Sequence, residues 1–260
     1  MAWALKRQLL YIAIFIAFFA VVGFIMVYPH LKQVPTCTDG KQDGDETGVD
    51  CGGSCPLACA SQMSPISILW ARTFEVVPGR YNAVAYLDNH NKDAAVENIT
   101  YKFRFADENN VYIGERDGST YIPPSGSFAV FEPAINLGNS VPVYTTFTFT
   151  ENPVWMQVPQ TKIDQFKVLV SNIDLENEAT NPTLSADVQN TSLFQIPKVS
   201  VVAILYDASG NAISASSTYL DVLQGQESTK INFTWDEPFS KNVVSEEIIP
   251  IFDIFSVKLE

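Results

Sequence analysis

The hydrophobic pattern divides the chain into three stretches: one unbroken apolar run, a polar glycine-rich stretch, and a long series of short alternating runs. The first spans Leu9 to Tyr28, LLYIAIFIAFFAVVGFIMVY, with no charge, no proline and one glycine. As a helix rising about 1.5 Å per residue it is roughly 30 Å long, the thickness of a hydrocarbon core. It has no polar face, so it does not read as an amphipathic helix of a soluble core. It is also longer than the roughly 7–15 apolar residues of a cleaved signal peptide. It ends Met26-Val27-Tyr28-Pro29-His30, without the small residues such cleavage uses. An uncleaved transmembrane anchor over 9–28 is therefore expected. Lys6 and Arg7 precede it, which places residues 1–8 in the cytoplasm; Lys32 and Lys41 on the other side oppose this weakly. The remaining chain is expected to be extracytoplasmic, in a single-pass arrangement.

Beyond residue 62 the period changes to two. Ile99, Tyr101, Phe103 and Phe105 alternate with Thr100, Lys102, Arg104 and Ala106, which describes a half-buried strand. Asp107 to Asn110 follows as a turn and Val111 to Gly114 as a returning strand. About a hundred residues later Val199, Val201, Ala203 and Leu205 repeat the alternation, with a turn over Asp207 to Asn211. Ala83, Ala85, Leu87 and Asn89 match Leu184, Ala186, Val188 and Asn190. Ser119-Thr120-Tyr121 matches Ser217-Thr218-Tyr219, Gly126 matches Gly225, and Val141 to Phe147 matches Ile249 to Phe255. The shared order predicts an internal duplication. Strands spaced this way in units of about 95 residues predict a mainly β protein with two tandem immunoglobulin-like β-sandwiches. The expected domains are 63–157 and 158–260, joined by a short linker over Gln157 to Lys162.

The intervening stretch, 29–62, carries all four cysteines: Cys37, Cys51, Cys55 and Cys59. Outside the cytoplasm an even count in a short segment predicts two disulfides, with three connectivities open. Such a stalk is too small to build a core, and crosslinks hold it by restricting the unfolded chain. The spacings are loose for a zinc knuckle. The same loop concentrates Asp39, Asp43, Asp45, Glu46 and Asp50 between Gly40, Gly44 and Gly48. Hard cations take several such oxygens, so these five carboxylates are candidate calcium ligands, with a solvated acidic stalk as the alternative. Set on an EF-hand loop starting at Asp39, the loop has Asp43, Gly44 and Asp50 in place, but Lys41 occupies a ligand position.

Two resemblances follow from these residues. CTDGKQDGDETGVDCGGSC, over Cys37 to Cys55, resembles a cysteine motif of prokaryotic surface and secreted proteins. That implies export and joining to other extracellular domains, without implying catalysis. Val188, Asn190-Thr191-Ser192 and Leu205-Tyr206-Asp207-Ala208 with Gly210-Asn211 resemble the FxLYD-type domain of bacterial exported proteins. The first half keeps that spacing but has Phe105-Ala106-Asp107 where the second has Leu205-Tyr206-Asp207. The resemblance implies an extracytoplasmic β-sandwich and no reaction.

Charge and chemistry narrow the function. With 29 acidic against 16 basic residues the net charge is −13, which speaks against nucleic acid and anionic lipid headgroups as partners. The chain has two histidines, His30 at the end of the anchor and His90 in a turn, where solvation is the simpler reading. No nucleophile elbow, P-loop, dinucleotide fingerprint or zincin motif is present. Glu246-Glu247 and Asp236-Glu237 are adjacent carboxylates and read as solvated. Tyr101, Phe103 and Phe105 read as core, while Trp70, Trp155 and Trp235 cap cores or line a domain junction. Asn98, Asn190 and Asn232 head glycosylation sequons that are incidental in a prokaryote. The expectation is a non-enzymatic, membrane-anchored scaffold or docking module of the cell envelope. It is held in lipid by its anchor helix, has other envelope proteins as partners, and needs no cofactor unless calcium. A calcium-dependent adhesin or ligand-binding surface protein is the alternative.

Overall fold

The computed structural model describes residues 2–31 and 36–258, with side chains from 7 to 28 and from 36 onward. Lys6, His30 and Lys32, used above for orientation and chemistry, lie outside the side chains described. Strand makes up 49% of the chain and helix 13%, so the protein is mainly β. It divides into two compact units, one ending at Ser54 and the other beginning at Cys55.

In the first unit, helix α1 runs Ala2–Leu31 and outlasts the expected span at both ends. Within it, Arg7–Tyr28 is long and apolar enough to cross a membrane, and none of its most apolar window is buried. Residues 36–54 form tight turns closed by an isolated bridge between Gly48 and Cys51. Gly52 and Gly53 sit at positive φ, 76° and 57°. A side chain at Gly52 would run into the Thr47 hydroxyl, and one at Gly53 into the Asp45 carbonyl. Here glycine is a steric requirement as well as a conformational one. All four cysteines are in disulfides, Cys37 with Cys55 and Cys51 with Cys59, which selects one of the three open pairings.

Among the described residues the second unit holds thirteen strands. They are β1 (Ser67–Val77), β2 (Arg80–Asn89), β3 (Ala94–Ala106), β4 (Tyr112–Ile122), β5 (Gly126–Asn136), β6 (Tyr144–Phe149) and β7 (Met156–Gln157), then β8 (Val168–Glu176), β9 (Thr183–Asn190), β10 (Ile196–Tyr206), β11 (Ala212–Leu223), β12 (Ser228–Thr234) and β13 (Ser245–Ile251). In the first sandwich, sheet β1-β2-β5 faces sheet β4-β3-β6, with β7 paired to the start of β3. In the second, β8-β9-β12 faces β11-β10-β13. The order of pairing is the same in both. Alternation builds each core: Leu87, Ile99, Phe103, Phe105 and Phe128 fill the first, and Leu184, Val188, Val201, Leu205 and Phe233 the second.

Two polar devices recur at matching places. The Asn89 amide donates to the Ala94 and Pro123 carbonyls, and the Asn190 amide donates to those of Phe194 and Leu223. Both asparagines are fully buried, so each amide satisfies carbonyls that the crossing chain would otherwise strand. The Asp107 carboxylate accepts the Asn109 and Val111 amides, and Asp207 accepts those of Ser209 and Asn211. Lys241 beside Asp207, helped by the Asn211 amide, holds that carboxyl down at about 2.

The pairing register corrects three of the matches drawn from sequence. Phe147 lies opposite Phe103, and Ile248 opposite Ala203, so Phe147 corresponds to Ile248 and not to Phe255. Ser119 lies opposite Thr100, where Tyr219 lies opposite Ser200. Gly126 pairs Asn89, and the Asn190 amide meets Glu227, two residues past Gly225. Local composition repeats at turns, but only strand pairing defines equivalence.

The expected linker is not a free spacer. Gln157 pairs Ala94, the Val158 amide donates to Asp93, and Gln160–Gln165 forms a short helix, α2. Val158 is buried with Ala95, Tyr121 and Ile254, which ties the end of the chain to the first sandwich. Residues 55–58 also join the first sandwich, through the Ala58 amide to Trp155 and the Gln157 side chain to the Cys55 carbonyl.

Candidate functional site

The junction between the sandwiches is the most elaborate arrangement in the second unit. Phe74, Val84 and Ala129 from the outer face of β1-β2-β5 pack against Val202, Ile204, Ala212, Ala215 and Ile249 from the outer face of β11-β10-β13. Each fully buried aliphatic here stabilises the junction by about 1.5–3 kcal/mol. Trp70 stacks on Tyr86, centroids 5.5 Å apart, and Arg72 lies 5.9 Å from the Trp70 ring. The Arg72 guanidinium donates to the Ala212 carbonyl and the Asn211 side chain.

Glu247 closes the junction. Its Oε1 accepts the Tyr86 hydroxyl at 2.7 Å and its Oε2 accepts the Tyr206 hydroxyl at 2.8 Å. One carboxylate thus joins both sandwiches through two charge-assisted hydrogen bonds. Burial, then the bond to Glu247, pushes both tyrosines above the ordinary range. The sequence reading of Glu247 as a solvated carboxylate is corrected here. A matching group lies inside the first sandwich, where buried Glu132 accepts the Tyr101 hydroxyl and the Arg116 guanidinium.

The five acidic residues of the stalk turn mostly onto their own backbone. The Asp50 carboxylate accepts the Asp39 and Gly40 amides, and Asp39 accepts that of Lys41. Glu46 accepts the Asp43 and Asp50 amides, and Asp45 accepts the Ser54 hydroxyl. Asp43 Oδ1 is buried without a hydrogen-bond partner. The carboxylates therefore shape the turns, and the fit to a calcium shell rests on the donor chemistry alone.

His90 lies just past the end of β2 and is exposed, as expected of a solvated turn residue, yet both its ring nitrogens have side-chain neighbours. Nδ1 lies 2.7 Å from Asp88 Oδ2, and Nε2 lies 3.0 Å from Ser67 Oγ. With Nδ1 protonated, Nε2 accepts from the serine, the order of contacts in a nucleophilic triad. Ser67 and Asp88 are cross-strand partners, so adjacent strands place the residues at the ends of this relay. The imidazole is 55% exposed. Spacing along the chain could not reveal the pair, because Ser67 and His90 meet only once β1 and β2 are in register.

The tryptophans sort as the sequence suggested: Trp70 in the junction, Trp155 buried in the first core, and Trp235 against the second.

No family model matches the chain, and no curated protein matches it. Among solved structures it is similar to the transglutaminase of red sea bream (TM-score 0.22, 9% identity, 72% of this chain and 31% of that one). It is also similar to a β-glucuronidase of Bacteroides uniformis (0.22, 12%, 68% and 26%) and to a β-galactosidase of Bacteroides fragilis (0.22, 12%, 68% and 33%). The chain spans about a third or less of each, and a likeness at this level carries no functional argument.

Proposed function

We propose that this chain is a membrane-anchored, extracytoplasmic docking module of a cell envelope and performs no catalysis itself. The observation that carries the reading is the apolar junction sealed by Glu247. It makes one stiff body of two sandwiches while leaving the outer faces of β4-β3-β6 and β8-β9-β12 to solvent. A stiff body with free sheet faces suits presentation of binding surfaces better than enclosure of a substrate. On this reading α1 spans the membrane with its N-terminus in the cytoplasm. The two halves descend from one FxLYD-like domain by duplication, and the stalk is the cysteine module of exported prokaryotic proteins.

The test is site-specific photo-crosslinking in intact membranes from Thr148 and from Gln189, one on each free face, using the full-length chain. Recovery of a defined set of envelope proteins is expected. Recovery of the chain alone overturns the reading. Replacing residues 9–28 by a foreign anchor then shows whether the helix shares in the contact.

A second reading is favoured by the Ser67–His90–Asp88 contacts. Through them Ser67 would attack an acyl carbonyl, its proton passing to His90. Labelling of the full-length protein with a fluorophosphonate separates the two readings. The docking reading expects Ser67 unmodified, and stoichiometric labelling lost in His90→Ala would establish the hydrolase. Calcium-dependent adhesion draws on the unpartnered Asp43 oxygen. It requires a rise in Tm in millimolar calcium that Asp43→Asn abolishes.

A further inference from the structure

Beside the junction, a cleft of about 370 Å³ opens between residues 74–78 of the first sandwich and residues 234–240 of the second, with the start of β11 against it. Three aromatic residues, Phe74, Trp235 and Phe239, are part of its wall. Trp235 and Phe239 meet edge to face, centroids 5.2 Å apart at 75°, and Phe74 is buried in the junction alongside. Glu75, Asp236 and Glu237 also line it, all exposed, and no lysine, arginine or histidine does. Ser214 lines it too. That residue is 8% exposed, yet its hydroxyl makes no hydrogen bond among the described residues.

These features select one chemistry. A ring face attracts a cation, carboxylates balance its charge, and a serine hydroxyl that makes no other hydrogen bond accepts one from a donor that enters. The aromatic part of the wall also takes an aliphatic stem, as lysine side chains lay theirs along apolar surface. We propose that this cleft binds an alkylammonium group, carried either on a lysine of a partner protein or on a free polyamine. In the first case the inference rests on the docking reading above; in the second it is independent of it.

The test is calorimetric titration of the full-length protein in nanodiscs. The probes are spermidine, the peptide acetyl-Gly-Lys-Gly-Lys-Gly-amide, and the same peptide with norleucine in place of lysine. Saturable binding of at least one ammonium probe is expected, falling as salt rises, with none for the norleucine peptide. The triple variant Glu75→Gln, Asp236→Asn, Glu237→Gln should weaken it tenfold or more. These side chains are exposed, so the fold should survive, and circular dichroism checks that. A lysine peptide tenfold tighter than spermidine identifies a partner's lysine as the source; the reverse identifies a free polyamine. Absence of saturable binding by both ammonium probes, equal binding of the norleucine peptide, or an unaffected triple variant overturns the inference. If the triple variant still crosslinks the same envelope proteins while no probe binds, the docking reading stands and the cleft inference falls.

Discussion

Strands β3 and β10 occupy the same place in their sandwiches, one between β4 and β6, the other between β11 and β13. Their inward residues are equivalent: Ile99, Tyr101, Phe103 and Phe105 in one, Val199, Val201, Ala203 and Leu205 in the other, all buried. Their outward residues differ in kind. On β3, Lys102 meets Glu115 and Asp117, and Arg104 leans on Glu115 and on the Tyr112 ring. On β10, Val202 and Ile204 are buried against the first sandwich. The sheets β1-β2-β5 and β8-β9-β12 show the reverse. The first carries Trp70, Phe74, Val84 and Tyr86 outward into the junction, while the second presents Asp174, Gln189, Lys230 and Asn232 to water. The two sandwiches therefore join through unlike faces, head to tail, and each leaves exposed the face that its counterpart uses. Charge on a free face discourages a further copy from stacking there.

The comparison is sharpest at matched positions, and the largest effect should come from exchanging them. Ile204→Arg places on β10 the residue β3 carries at Arg104. Burying that charge without a partner should cost more than about 4 kcal/mol in chemical denaturation. Arg104→Ile should change stability by no more than about 1 kcal/mol. Equal costs would mean the two faces are not distinct.

The junction's polar seal comes next. Tyr86→Phe or Tyr206→Phe should each cost about 1.5–3 kcal/mol, the range for a hydrogen bond to a charged group. A double-mutant cycle with Glu247→Gln should show coupling, and strict additivity would remove Glu247 from its bridging role.

Alkali probes the same seal in the unmodified protein. Tyr86 and Tyr206, with Tyr101 and Tyr121 in the interior, are raised above the ordinary tyrosine value chiefly by burial. A raised folded value means stability is full below about pH 10, where unfolded tyrosines keep their protons. It is lost as pH climbs beyond that toward the folded values. Denaturant midpoints measured from pH 8 to 11 should be flat and then fall, with a shallower fall in the Tyr86→Phe, Tyr206→Phe double variant. A midpoint that does not fall above pH 10 contradicts the burial of these hydroxyls. The smallest effect is expected at Lys102→Ala, below about 1 kcal/mol and further reduced by salt, because its partners are solvated.

Much of this architecture was legible along the chain. Twenty uncharged apolar residues specify a membrane-length helix whatever follows. Period-two alternation at 99–106 and 199–205 specifies strands and their inner faces, because side chains alternate across a strand by geometry alone. Four clustered cysteines announced two disulfides, and Asp107 and Asp207 announced their turns. Even the junction left a trace. Val201 to Leu205 is apolar without interruption, as are Ala83 to Leu87 apart from the Tyr86 hydroxyl, and such runs mark strands covered on both sides. Tertiary structure decided the rest. It chose the disulfide pairing, brought Ser67 to His90, set Glu247 between two tyrosines 161 and 41 residues away, and opened the cleft at Trp235. Periodicity records which way a side chain points, because that is a property of one strand. What it meets there depends on elements far apart in the sequence, and no local pattern carries that information.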